Sequence, residues 1–125
     1  MFDKKEKASA PEISGKTNRI VEGTKIKGDI NTQGDFRLDG ELLGNFTSTG
    51  KLVIGPEGSI IGDIVCKNCD IEGTFNGKLD IDELLNIKSR AKIKGEVLVG
   101  KLSIEPGAEF IATCSMKSVS SNFGE

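Results

Sequence analysis

Cys66-Lys67-Asn68-Cys69 has the C-x-x-C spacing of a zinc half-site or a thiol redox pair. A structural zinc needs four ligands, and the chain adds only Cys114 and has no histidine. A redox pair needs a helix N-terminus to stabilise its thiolate, and no helix is predicted here. Both cysteines fall on inward positions of a strand alternation, so packing is their expected role. The missing imidazole also excludes histidine acid–base catalysis and Ser-His or Cys-His pairs. No Walker A or G-x-G-x-x-G segment offers a phosphate loop, and the calcium-binding Gly-Gly-x-Gly-x-Asp nonapeptide is absent. With no convergent set of titratable groups, neither an enzyme nor a bound cofactor or metal is expected.

A second feature is the basic run Lys88, Arg90, Lys92, Lys94. It could meet nucleic acid or lipid headgroups, but no aromatic ring lies among the charges to stack on bases. Glu72, Glu105 and Glu109 stand on neighbouring repeats, so a solvated, charge-balanced face is expected and a nucleic-acid partner is not. The overall charge of −2 agrees, since it provides no basic field.

The scaffold carrying these residues is small. A length of 125 residues suits one domain. Glycine is unusually frequent, at 16 residues, whereas Trp and Tyr are absent and Phe numbers six. No apolar run approaches a membrane span or a secretory signal, and three cysteines without framework spacing suit a reducing compartment. The expectation is a soluble cytoplasmic protein.

Apolar residues recur in columns. Ile20, Leu38, Ile54, Ile71, Ile87 and Ile104 are spaced by 18, 16, 17, 16 and 17 residues. A second column runs Ile26, Leu42, Ile60, Phe75, Ile93, Phe110, and a third, four residues later, Ile30, Phe46, Ile64, Leu79, Val97, Cys114. Between them stand Gly28, Gly44, Gly62, Gly77, Gly95 and then Ala112. A further column reads Thr32, Ser48, Cys66, Ile81, Val99, Met116. Within each repeat the alternation has period two, the mark of strands. Only Ile81, Leu84 and Leu85 also fit helical spacing, and the columns leave Leu84 unexplained.

A repeat of about 17 residues built from period-two segments predicts an all-β, single-domain parallel β-helix of about six coils. Like residues stack inside, and the glycine column is expected where a narrow interior has no room for a side chain. Pro56 and Pro106 fall in bends. Outward, Asp63, Lys78 and Glu96 share one column and Glu72, Lys88 and Glu105 another, setting opposite charges side by side. Residues 19–116 form the expected helix, with residues 1–18 and 117–125 as disordered tails.

Six coils at about 4.8 Å each give a rod about 29 Å long with two open sheet edges. No amphipathic segment is available to cap them, and such edges are templates for another copy. Ile20, Ile26 and Ile30 at one end, and Ile104, Phe110, Cys114 and Met116 at the other, are the expected polymerisation interface. The outward residues Leu43, Ile61 and Ile111, with Val65 nearby, form a candidate lateral strip.

The segments Ile26-Lys27-Gly28-Asp29-Ile30, Leu38-Asp39-Gly40-Glu41-Leu42-Leu43-Gly44-Asn45-Phe46, Ile60-Ile61-Gly62-Asp63-Ile64 and Ile93-Lys94-Gly95-Glu96-Val97 make a chain that resembles the bactofilins, bacterial polymer-forming cytoskeletal proteins. The opening Met-Phe-x-Lys-x-x-Lys, in Met1, Phe2, Lys4 and Lys7, is similar to the membrane-targeting start of many members. The resemblance implies a right-handed β-helix that polymerises without nucleotide into non-polar filaments on the inner membrane face. It also implies a scaffold for cell-envelope and cell-shape proteins. Met1, Phe2, Lys4, Lys5 and Lys7 would then contact inner-membrane lipids. The competing expectation is a monomeric β-helical adaptor that binds a protein partner through its surface.

Overall fold

The computed structural model describes residues 17–117. Every element in that range is a strand, and every pairing is parallel. The first two coils use three short strands each: β1 (Thr17–Ile20), β2 (Lys25–Lys27) and β3 (Ile30–Thr32), then β4 (Asp35–Leu38), β5 (Glu41–Leu43) and β6 (Phe46–Ser48). β7 (Lys51–Ile54) opens the third coil. From there three long strands, β8 (Ser59–Ile71), β9 (Thr74–Ile87) and β10 (Lys92–Ile104), each finish one coil and begin the next, and β11 (Glu109–Met116) completes the sixth. Among the described residues the strands already include Thr17 and Asn18, which pair with Asp35 and Phe36.

The register reproduces the columns residue for residue. Ile20 pairs with Leu38, Leu38 with Ile54, Ile54 with Ile71, Ile71 with Ile87 and Ile87 with Ile104. The second and third columns are equally continuous, from Ile26 to Phe110 and from Ile30 to Cys114. One core runs up the rod axis and contains Phe36, Leu38, Leu42, Phe46 and their counterparts above. Phe36 and Phe46 meet edge to face, with centroids 5.2 Å apart. Fully burying one such side chain contributes about 1.5–3 kcal/mol, so stacked columns are the main source of stability.

The glycine column is present, but not for the expected reason. Gly44, Gly62 and Gly77 are half-exposed at a corner of the wall, and not in the interior. Their φ angles are 147° to 150°, in the region that disfavours L side chains. A Cβ on Gly62 would overlap the carbonyl oxygen of Gly44 in the coil below, and Gly77 and Gly95 repeat the relation. Backbone stacking at the corner selects glycine.

Leu84 belongs to β9, beside Asn68 and Lys101 on an outward column, so the helical alternative at Ile81–Leu85 is not realised. Where some coils are longer, the extra residues form tight turns closed by Thr24 N–H to Val21, Gly58 N–H to Gly55, Ala91 N–H to Lys88 and Ala108 N–H to Glu105. Pro56 and Pro106 occupy two of these turns.

Candidate assembly surfaces

Burial along each column changes at the ends. Ile87 is 0% exposed, whereas Ile104, stacked directly on it, is 44% exposed. Val99 is likewise 0% exposed, and Met116 above it is 54% exposed. Phe110 is half-buried and Cys114 is exposed. At the opposite end Ile20, Ile26 and Ile30 are half-buried against the core. Among the described residues nothing covers either end. The seven residues expected at the interface thus form two groups at opposite ends of the rod.

The first end also carries Asn18, which the column reading missed, beside Thr32 of the fourth column. Asn18 occupies the inward column above which stand Phe36 and Leu52. Its Nδ2 donates to Thr32 Oγ1 at 3.3 Å and reaches the Asp35 carbonyl at 3.5 Å. One coil inside, Ser48 Oγ donates to the Gly34 carbonyl at 3.0 Å and accepts from Gly50 N–H at 2.9 Å. The signal was legible: Asn18 stands two residues before Ile20, where other coils place an apolar residue.

At the last coil Lys117, expected in a tail, is held. Its N–H donates to the Val99 carbonyl at 2.7 Å. Its ammonium lies 2.6 Å from Asp80 Oδ1 and donates to Asp82 Oδ1 at 2.7 Å. These carboxylates lie two coils away. Gly100, between them, has no side chain to block the path, and a Cβ there would press on the Asp82 carbonyl. The hydrogen bonds to Asp80 and Asp82 raise the Lys117 pKa above its ordinary value.

The lateral strip is broken. Leu43 pairs with Ile61, but Asn76 and Lys94 then precede Ile111 in the same column. Ile61 and Ile111 are 50% and 64% exposed, separated by two polar coils. Val65 lies beyond the glycine corner, in the column that continues through Asp80 to Leu98.

The chemical candidates resolve into packing and solvation. Cys66 and Cys69 are buried, with Cys66 stacked beneath Ile81 and Cys69 between Leu52 and Leu85. Cys66 Sγ donates to the Asn68 carbonyl at 3.2 Å. The hydrogen bond with Cys66, and burial after it, push the Cys69 thiol well above the usual range, which opposes redox or metal chemistry. No cluster of three His, Cys, Asp or Glu residues that could hold a metal occurs among the described residues. In the basic run, Lys88 pairs with Glu105 at 3.6 Å and Lys92 stands beside Glu109 in register. Asp63, Lys78 and Glu96 are register neighbours as expected, although no ion pair joins them among the described residues. Met1, Phe2, Lys4, Lys5 and Lys7 lie outside the described residues. Among those described, no helix is long and apolar enough to cross a membrane.

Comparison with known proteins places this rod. A family model for bactofilin, described as polymer-forming cytoskeletal, matches residues 18–115. Bactofilin BacP of Myxococcus xanthus (strain DK1622) is 24% identical over 116 residues, covering 90% of this chain. Bactofilin BacO of the same organism is 23% identical over 91 residues, covering 73%. The chain spans about half the length of BacP, 48%, and 72% of BacO. The fold is similar to that in a cryo-EM reconstruction of Thermus thermophilus bactofilin double helical filaments. That match has a TM-score of 0.73 and 23% identity, over 80% of this chain and 99% of the other. The family match over nearly the whole β-helix, joined to a six-coil parallel stack, shows that the chain belongs to the bactofilins, a family described as polymer-forming cytoskeletal.

Proposed function

We propose that the chain is a filament subunit whose rods join end to end without nucleotide or metal, like end to like end. The observation that carries this reading is the loss of burial at the terminal coils: columns shielded through the middle of the rod reach both ends as apolar side chains. A second copy would restore that shielding and pair the open strand edges. Two-fold contacts between like ends give a filament without polarity.

The same reading puts the filament on the inner face of the membrane, where it positions cell-envelope proteins. Met1, Phe2, Lys4, Lys5 and Lys7 support it. Each basic residue near an anionic surface contributes about 1 kcal/mol, and Phe2 and Met1 together add about 2–4 kcal/mol if inserted. Asp3 and Glu6 offset part of this. A single tail is then a weak anchor, and a filament gains by presenting many.

Purified protein freed of nucleotide and treated with EDTA should pellet in the ultracentrifuge and show filaments in negative stain. Filaments that dissolve under this treatment contradict the reading, and monomers at every concentration favour the adaptor. The polymer should co-sediment with anionic vesicles, and Phe2→Glu should weaken that binding. Unchanged binding after deletion of residues 1–7 removes the tail from the account.

A further inference from the structure

The face made by β2, β5 and the first three residues of β8, β9, β10 and β11 carries an unusual charge order. Coil one presents Lys25 and Lys27, and coil two Glu41 and Leu43. Coils three and four present only neutral residues, Ser59 and Ile61, then Thr74 and Asn76. Coil five returns to two lysines, Lys92 and Lys94, and coil six to Glu109 and Ile111. The net charges by coil are thus +2, −1, 0, 0, +2 and −1.

We infer that this face binds the same face of a second copy, with the two rods antiparallel. The two-fold axis runs along the strands, between coils three and four. Coil one then meets coil six, coil two meets coil five, and the neutral coils meet each other. Because such an axis preserves position along the strand, Lys25 faces the second copy's Glu109, and Glu41 faces the second copy's Lys92. Lys27 lies over the second copy's Ile111, and Leu43 under the second copy's Lys94. A lysine stem covers apolar surface while its ammonium stays in water. Along the interrupted apolar strip, half-buried Leu43 and exposed Ile111 are each opposed by a lysine, and exposed Ile61 by the second copy's Asn76. A parallel, in-register pair would instead set the doubly positive coils one and five against themselves.

Neither of the other faces has this self-complementarity over its outer coils. On the β1 face the same axis opposes Thr17 to Lys101, Arg19 to Ser103 and Arg37 to Asn86, so no opposite charges meet. On the β3 face the axis brings only Asp63 to the second copy's Lys78, and sets Asp29 against Thr113 and Asn45 against Glu96, so the acids of the outer coils meet no cation. Within the rod the inferred interface groups are weakly engaged. Lys25 reaches Glu41 only at 3.9 Å, with both side chains largely in solvent. A shallow groove of about 330 Å³ between Ile61, Asn76, Lys94 and Ile111 leaves room for side chains of the opposing face.

The size of the face fixes when pairing occurs. A strip about 29 Å long and about 10 Å wide buries on the order of 300 Å² per copy, well below the roughly 800 Å² per partner of a stable complex. Single rods therefore do not pair, whereas filaments repeat the contact many times. The inference rests on end-to-end assembly and adds a lateral contact to it.

Negative-stain images of wild-type polymer at low ionic strength should show paired filaments, and about 0.5 M salt should separate them without shortening them. Lys92→Glu should leave filaments long and lower the paired fraction about tenfold. Lys92→Glu with Glu41→Lys should restore pairing, because each contact is merely reversed. Lys25→Glu with Glu109→Lys is an independent swap for the same register, should the first variants fail to polymerise. Wild-type filaments that stay single, Lys92→Glu filaments that still pair, or swaps that do not restore pairing overturn the inference. So do single filaments that bind phosphatidylglycerol vesicles through Lys92, which would assign the face to lipid. A wild type that forms no filaments at all instead refutes end-to-end assembly, and this inference with it.

Discussion

The two ends of the rod are built from the same columns and finish differently. At the first coil Asn18 and Thr32 close two inward positions with a hydrogen bond, and the three isoleucines are half-buried. At the last coil the corresponding positions are Leu102 and Met116, joined by Ile104, Phe110 and Cys114, with Ile104 and Met116 well exposed. The last coil therefore has more apolar surface to remove from water, about 25 cal/mol for each Å². A filament joined like to like must alternate two kinds of junction. The junction between last coils is expected to be the stronger.

The largest expected effect comes from Phe110→Arg. A guanidinium buried without a partner at a junction costs about 3–5 kcal/mol, more than one contact supplies. The rod itself should keep its β-sheet circular dichroism, because Phe110 lies in the terminal coil and is only half-buried against the core, while pelletable polymer disappears. Long filaments from this variant would remove the last coil from the assembly surfaces.

Next in size is a contrast between the middle and the first end. A Cβ at Gly77 meets both an unfavourable φ and the Gly62 carbonyl, whereas at Gly28 nothing lies within 4 Å. Gly28→Ala should cost only the backbone conformation, about 1–3 kcal/mol. Gly77→Ala should cost clearly more, read as a larger fall in melting temperature. Equal falls would mean that φ alone selects glycine and that stacking of the corner carbonyls does not.

A smaller effect is expected from the Lys117 clamp on the last coil. Its pKa is raised in the folded chain, so its stabilisation is complete below the ordinary lysine value of about 10.4. It is lost as pH rises through the folded value. The melting temperature should fall over that alkaline window, and Lys117→Gln should flatten that part of the curve. The smallest effect should come from Asn18→Leu, which gives the first end the apolar residue of the other coils. It should lower the protein concentration needed for polymer a few-fold, on the order of 1 kcal/mol of burial. A rise would show that Asn18 takes part in the junction.

The course of the fold was legible because parallel stacking places identical positions over one another, so Ile54, Ile71 and Ile87 announce themselves by spacing. The open ends followed from the same columns. What spacing does not carry is contact across the stack. The overlap between a Cβ and the carbonyl one coil below explains the glycine corner, and nothing in residue type reveals it. Lys117 was missed because a side chain that crosses two coils past Gly100 leaves no period-two trace. The interruption of the lateral strip is plainer: Asn76 and Lys94 stand in the same column as Leu43, Ile61 and Ile111 and were legible there.

The most direct measurement is the mass, by sedimentation equilibrium, of rods carrying Ile26→Arg, a substitution that disables only the first end. With like ends joined, and the last coils forming the stronger junction, the variant should sediment as a discrete dimer of twice the chain mass. Adding Phe110→Arg should reduce it to the monomer. Ile26→Arg protein that is already monomeric would contradict joining of like ends, and protein that still forms long filaments would contradict assembly through the ends of the rod.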